Sequence, residues 1–393
     1  MNKKLLTKST VVALVGLFTA PAMAEVSISG WINQAVTYAD NGDRTEIASL
    51  ADNGTTLGSR ITFAGSSDLP GGYQAGFDVT VEPLNNNSIL GFGSACGPSP
   101  ADCGDNNGDF LNVLGHSLFF SGGFGKITMG LQSMPTDNIA VLEDPSLTLW
   151  SSISPVFRGN ALGIVNGSTQ TGFVWGDLMN CRTVPGLGIG LDCNGIYRQG
   201  VRYDLPTFVD GLGIAVGWAN DDVYDVAAKY KTAFGRVNTQ FAVGYAENHG
   251  LGSNAQAENL QVQVGAMDNA GTGLFGSVAY QMEDADNFAD SSDAFWIKAG
   301  IKRAFNSLGD TSIAGQFGMY SDQMSPAAIA AGITGSDVQR YGVEVVQYFG
   351  SAFQAYVTWE VLTPEADGAS AAALAVDGGE DLNTVTLGAV VFF

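Results

Sequence analysis

The stretch Thr384-Val385-Thr386-Leu387-Gly388-Ala389-Val390-Val391-Phe392-Phe393 places Val385, Leu387, Ala389, Val391 and Phe393 at every second position. Small or polar Thr384, Thr386 and Gly388 lie between them. A strand turns successive side chains to opposite faces, so this segment presents one apolar face and one that tolerates water. The same period recurs upstream. Phe353, Ala355, Val357 and Trp359 alternate with Gln354, Thr358 and Glu360. Val237, Phe241, Val243 and Tyr245 alternate with Arg236, Asn238, Gln240 and Gly244. Tyr73, Ala75, Phe77, Val79 and Val81 alternate with Gln74, Asp78, Thr80 and Glu82.

Followed along the chain, this period predicts sixteen strands. They lie near 26–38, 58–66, 73–82, 115–122, 126–133, 196–205, 212–220 and 224–233, then 236–246, 259–267, 272–282, 294–304, 311–321, 338–349, 352–362 and 382–393. Their connections alternate between short and long, except at Asp221–Val223, where a short one fills a long-loop position. Gly123–Gly125, Phe234-Gly235 and Gly350-Ser351 are short, whereas 39–57, 83–114, 134–195, 322–337 and 363–381 are long. A meandering antiparallel transmembrane barrel sorts its turns and loops to opposite rims in this way. A soluble sandwich does not, and it buries the apolar face. The expected fold class is therefore all-β, an up-and-down barrel of about sixteen strands.

Composition agrees. Hydrophobic residues make up 45% and charged residues 14% of the 393. Past the first segment no run of 18 apolar residues appears, so the apolar character is spread over strands rather than gathered in a helical span. Lys3, Lys4 and Lys8, the apolar run Val11–Ala20 and Ala22-Met23-Ala24 read as a cleavable export signal over 1–24, with the barrel domain over 25–393. Without the three signal lysines, fourteen basic residues face 39 acidic ones. That balance excludes a nucleic-acid partner, which needs clustered Lys and Arg.

Cys96, Cys103, Cys181 and Cys193 form no CxxC, and with only two histidines, His116 and His249, a zinc site is not expected. An even count in an exported chain suggests two disulfides. Three pairings are possible, and local closure, Cys96–Cys103 and Cys181–Cys193, is expected. No serine pairs recognisably with either histidine for hydrolysis. Gly211-Leu212-Gly213 and Gly186-Leu187-Gly188-Ile189-Gly190 open no helix, so neither reads as a phosphate loop. In Asp102–Asp109 the calcium-loop register fails, because alignment on Gly108 puts Cys103 first and Leu114 last. No cofactor is expected beyond calcium held loosely by acidic outer loops.

By alternation Arg60, Lys126, Arg198, Arg202, Lys229, Lys231, Arg236, Lys298, Lys302 and Arg340 point inward, where a lipid-facing cation at mid-depth would cost roughly 2–4 kcal/mol. Arg60, Arg198, Arg202, Lys298 and Arg340 fall at mid-barrel. The longest connection, 134–195, carries Asp137, Glu143 and Asp144 near Pro135 and Pro145. Loops of that length are uncommon unless functional. Part of this connection, including the Cys181–Cys193 stretch, is expected to stay outside the pore. Trp31, Trp296 and Tyr356 point inward but are too scattered to form a track.

The export signal, the opening strand Glu25-Val26-Ser27-Ile28-Ser29-Gly30, the turn Gly122-Gly123-Phe124-Gly125-Lys126 and the terminal Phe393 together resemble the general diffusion porins of Gram-negative outer membranes. The likeness spans the whole mature chain. It implies a water-filled channel for passive diffusion of small hydrophilic solutes and ions, set as a homotrimer in the outer-membrane lipid bilayer. It also implies a third loop folded into the lumen, with acidic Asp137, Glu143 and Asp144 facing basic wall residues. Phe393 resembles the family's barrel-insertion signal, read with the help of periplasmic chaperones and the barrel-assembly machinery. A solute-specific channel, for sugars or anions, is the alternative.

Overall fold

Alternation becomes geometry in the computed structural model, which describes residues 25–50, 58–83, 111–141, 144–152, 162–182, 190–194, 197–220, 222–249, 256–286, 288 and 290–393. The expectations on the signal 1–24, on Cys96, Cys103, Asp102–Asp109 and Glu143, and on the glycine run as far as Ile189 lie outside the described residues. The strands are β1 (Glu25–Asp40), β2 (Thr45–Leu50), β3 (Arg60–Leu69), β4 (Tyr73–Pro83), β5 (Leu111–Gly122), β6 (Gly125–Ser133), β7 (Gly163–Asn166), β8 (Thr169–Val174), β9 (Tyr197–Asp204) and β10 (Leu212–Ala219). They continue as β11 (Val223–Phe234), β12 (Val237–Asn248), β13 (Ala257–Asp268), β14 (Leu274–Ala285), β15 (Ser292–Asn306), β16 (Gly309–Ser321), β17 (Gly335–Phe349), β18 (Phe353–Asp367) and β19 (Leu382–Phe392).

Seventeen of these strands form one antiparallel sheet, closed by the pairing of β1 with β19. β2 bonds to one half of β1 and β3 to the other, so those two share a place in the wall and the barrel has sixteen places. Closure leaves no edge with unpaired backbone groups, which is what permits strands to cross a bilayer. All sixteen predicted strands are present. The prediction missed β2 and the β7–β8 hairpin inside the long connection. The hairpin's signal was in the sequence: Gly167-Ser168 is a two-residue hairpin loop with glycine at its first position, and Gly167 takes φ 60°.

On β17 the outward Tyr341, Val343, Val345 and Phe349 are exposed, and the inward Arg340, Gly342, Glu344, Val346 and Tyr348 are buried. Val343 stands opposite Trp359, Trp359 opposite Val385, and Val385 opposite Tyr38, so one apolar row runs across four strands. Register is pinned by this belt, because a one-residue slip would turn every apolar side chain inward. At the long-loop rim the same outward face ends in acids: Glu247 lies opposite Glu258, and Glu258 opposite Asp284.

Candidate functional site: the third long loop and the inner wall

The long connection after β6 lies in three limbs against inward-facing side chains. The first limb, 134–141, includes Pro135. The Thr136 amide and hydroxyl both donate to Asp225 Oδ2 at 2.8 Å. The Ala140 amide donates to Gln261 Oε1 at 3.3 Å. Ile139 packs with Ala227 and Ala242, and Met134 with Ala219 and Val223. Two glycines make the seat. A Cβ on Gly217 would lie 2.6 Å from Met134 Cε, and one on Gly244 would lie 2.9 Å from Thr136 Cγ2.

The second limb, 144–152, ends in one helical turn, Leu149–Ser152. Lys298 Nζ lies 2.8 Å from Asp144 and 2.6 Å from Glu344. Thr148 Oγ1 donates to Glu344 at 2.6 Å, and the Ser151 hydroxyl donates to the same carboxylate. Lys302 Nζ and the Tyr348 hydroxyl both donate to the Ser146 carbonyl. The Thr358 hydroxyl donates to the Ser151 carbonyl at 3.1 Å. Trp150 meets Trp31 and Phe392 edge-on, with centroids 5.7 and 4.9 Å away.

The third limb carries the Cys181–Cys193 disulfide, which closes locally as expected. Its expected place outside the pore is corrected: it lies against inward-facing side chains of the wall. Both cysteines are buried, the Cys193 amide donates to Gln281 Oε1 at 2.8 Å, and the Arg182 amide donates to Glu283 at 3.0 Å. Gln281 and Glu283 face inward on β14, and with Gln323 they give this limb's polar backbone its partners. Between the limbs, Leu162, Ile164, Trp175, Leu178 and Met179 pack with inward Trp296, Tyr320, Val338 and Leu362 and with Val376 of the last long loop. An apolar core thus sits inside the wall, each large side chain contributing about 1.5–3 kcal/mol. Non-reducing peptide mapping is expected to return Cys181–Cys193 and Cys96–Cys103; a crossed link would overturn local pairing.

The five mid-barrel cations take different partners. Arg60 pairs with Glu82 at 3.1 Å and lies over the Trp31 ring at 4.6 Å. Arg198 donates to Asn194 Oδ1 at 3.2 Å. Arg202 pairs with Asp204 at 2.7 Å. Lys298 forms an ion pair with one of the named loop acids, Asp144. Arg340 instead donates to Glu360 from Nε at 3.0 Å and to the Tyr320 hydroxyl at 3.3 Å. Lys298 and Arg340 are 1% and 0% exposed. Of the partly exposed inward charges among the described residues, Arg60, Asp78, Glu82, Lys126, Arg202 and Asp204 lie on β3, β4, β6 and β9, and Lys229 and Lys302 lie on β11 and β15.

Asp137 is buried at the start of the loop, and burial raises its pKa. Asp192, not foreseen from sequence, is buried beside it; burial and then the Asp137 charge push its pKa up to about 8. Glu344, Glu360 and Asp225 were missed because only the wall's cations were weighed and not its acids, and Asp192 because the Cys181–Cys193 stretch was expected outside the pore. The inward parity of Glu344 and Glu360 was available in the alternation. Trp296 and Tyr356 face inward as read, but they bond to Gln316 and Asn33 within the wall. His116 lies within β5 and is exposed, and His249 lies 3.4 Å from Glu247. The one group of metal-type ligands among the described residues, Cys181, Cys193 and Glu283, has its two sulfurs bonded to each other.

Comparison with known proteins places this architecture. The family described as Gram-negative porin matches residues 9–363. Major outer membrane protein P.IB of Neisseria meningitidis serogroup B is 26% identical over 304 residues, covering 72% of this chain and 74% of that protein. An anion-selective porin from Comamonas acidovorans superposes with a TM-score of 0.58 at 19% identity, over 94% of this chain and all of that one. The trimer form of OmpT from Vibrio cholerae gives 0.54 at 12% identity, over 94% and 99%.

Proposed function

The chain belongs to the Gram-negative porin family and forms an outer-membrane diffusion channel, and we propose that its third loop sets the constriction through which small hydrophilic solutes and ions pass. One observation carries this reading. The loop's limbs bond chiefly to inward side chains of β11, β13, β14, β15, β17 and β18, while six of the eight partly exposed inward charges among the described residues lie on β3, β4, β6 and β9. The conducting path then runs between the loop and that charged wall, lined by Arg60, Lys126 and Arg202 with Asp78, Glu82 and Asp204.

Cations and acids nearly balance along this path, so the outer rim decides selectivity. Acids outnumber bases 39 to 17 in the whole chain. Such a field concentrates cations at the mouth and is screened over about 8 Å at physiological salt. Weak cation selectivity that fades in concentrated salt follows. The Comamonas relative is described as anion-selective, and the same behaviour here would reverse this assignment. A homotrimer is proposed on the family and on the trimeric OmpT fold. No step of bond chemistry is assigned.

Reversal potentials across a salt gradient, with liposome swelling in sugars of graded size, test the reading. A size-ordered swelling series and a small cation preference at low salt are expected. A single sugar standing far above the series would replace general diffusion by a solute-specific channel.

A further inference from the structure

We propose that Asp137 and Asp192 form a carboxyl pair sharing one proton, which locks the first limb of the third loop onto the wall and frees it when that proton is lost. The bridge between the two is Asn138. Its amide donates to Asp192 Oδ1 at 3.1 Å, and its side-chain amide donates to Asp137 Oδ1. Asn138 holds φ 63°, an uncommon conformation for a residue with a side chain and one that costs energy to maintain. Both carboxyls are buried, at 5% and 2% exposure, and Oδ2 of each meets no hydrogen-bond donor within bonding distance among the described residues. Two such groups cannot both stay ionised in one dry site; one keeps a proton.

The surrounding charges do not remove that need. Lys229 on β11, Arg202 on β9 and Arg60 on β3 favour ionisation from a distance, and Ser133 favours the Asp137 anion. Arg198 on β9 is turned to Asn194. Asp225 on β11 adds a further carboxylate, whose Oδ2 is already taken by Thr136. Burial outweighs these attractions, and Asp192 stays protonated up to about pH 8.

The two halves of the pair are held unequally. Asp192 precedes Cys193, whose disulfide and Gln281 contact fix the third limb. Asp137 belongs to the first limb, held by Thr136, Ala140 and the glycine seat. When the proton leaves to water, repulsion acts on the limb without the covalent tether, and residues 134–141 lift from β10–β13.

The sign follows from linkage. The seated loop holds a proton that the released loop, with an ordinary aspartate, gives up. Release therefore rises with pH by about tenfold per unit between pH 6 and 8 and levels off above, where the seated pair ionises too.

This proposal rests on the loop setting the constriction, so two readouts are needed. Hydrogen exchange of the 134–141 peptide, corrected for intrinsic rates, reports seating in the folded porin in detergent. Single-channel current in planar bilayers reports conduction. In the unaltered protein, protection is expected to fall about a hundredfold from pH 6 to 8, with more current fluctuation. D192N keeps the acceptor for Asn138 but cannot ionise, and it is expected to remain protected and quiet at pH 9. D137N serves equally if D192N folds poorly. Protection independent of pH in the unaltered protein, or equally dependent on pH in D192N and D137N, overturns the lock. Loss of protection with unchanged current supports the lock and overturns the constriction reading instead.

Discussion

Exchanging Lys298 for methionine is expected to raise single-channel conductance and to admit larger sugars in liposome swelling. The ammonium lies between Asp144 of the loop and Glu344 of β17, at 2.8 and 2.6 Å, with none of the three exposed. Removing it leaves two buried carboxylates facing each other, a change that typically costs about 3–5 kcal/mol. The barrel does not yield to that cost, because β15, β16, β17 and β18 are bonded along nearly their full lengths. The loop yields, since the Ser146, Thr148 and Ser151 hydroxyls all donate to carboxylates of this cluster. The triple variant D144N/K298M/E344Q removes the stranded charges and is expected to recover most of the original conductance. A K298M channel with unchanged conductance and swelling would show that this anchor does not hold the constriction.

The wall was legible because two solvents write on it. Lipid outside and polar groups inside impose one period on every strand, so Val385, Leu387 and Ala389 could be read without knowing their neighbours. The loop carries no such constraint. Its partners come from far along the chain: Thr148 meets Glu344, Ser151 meets Thr358, and Cys193 meets Gln281. Parity shows that Arg340 points inward but not that Glu360, twenty residues on, is there to receive it. Nor does parity separate a wall sector covered by the loop from one open to water. Lys298 and Arg202 therefore read alike in the sequence, and in the structure one is buried and the other half-exposed. The apolar core within the barrel is the same case, since Leu162, Trp175 and Met179 show no period and find their partners only after the wall has closed.

Phe393→Ala is expected to lower sharply the amount of protein assembled in the outer membrane while leaving the folded barrel nearly as stable. The backbone of Phe393 completes the seam: its carbonyl accepts from the Gly30 amide at 2.9 Å, and its amide donates to the Gly30 carbonyl at 3.2 Å. Alanine keeps both bonds. The side chain is 51% exposed on the outside of the barrel and fills no packed site. Substitutions at such positions usually change stability by within about 0.5 kcal/mol, a shift in melting midpoint of about 1–2 °C in a chain this long. A large effect on membrane yield must then arise before the barrel closes, when the terminal strand is still free to be recognised. If Phe393 serves as the insertion signal it resembles, that is the stage at which it is read, as the exposed aromatic end of an amphipathic strand. Two measurements separate the stages: immunoblots of outer-membrane fractions for assembly, and thermal unfolding of protein refolded in detergent for stability. Normal membrane levels would remove the signal role from Phe393. A large drop in melting midpoint would move its contribution into the finished seam.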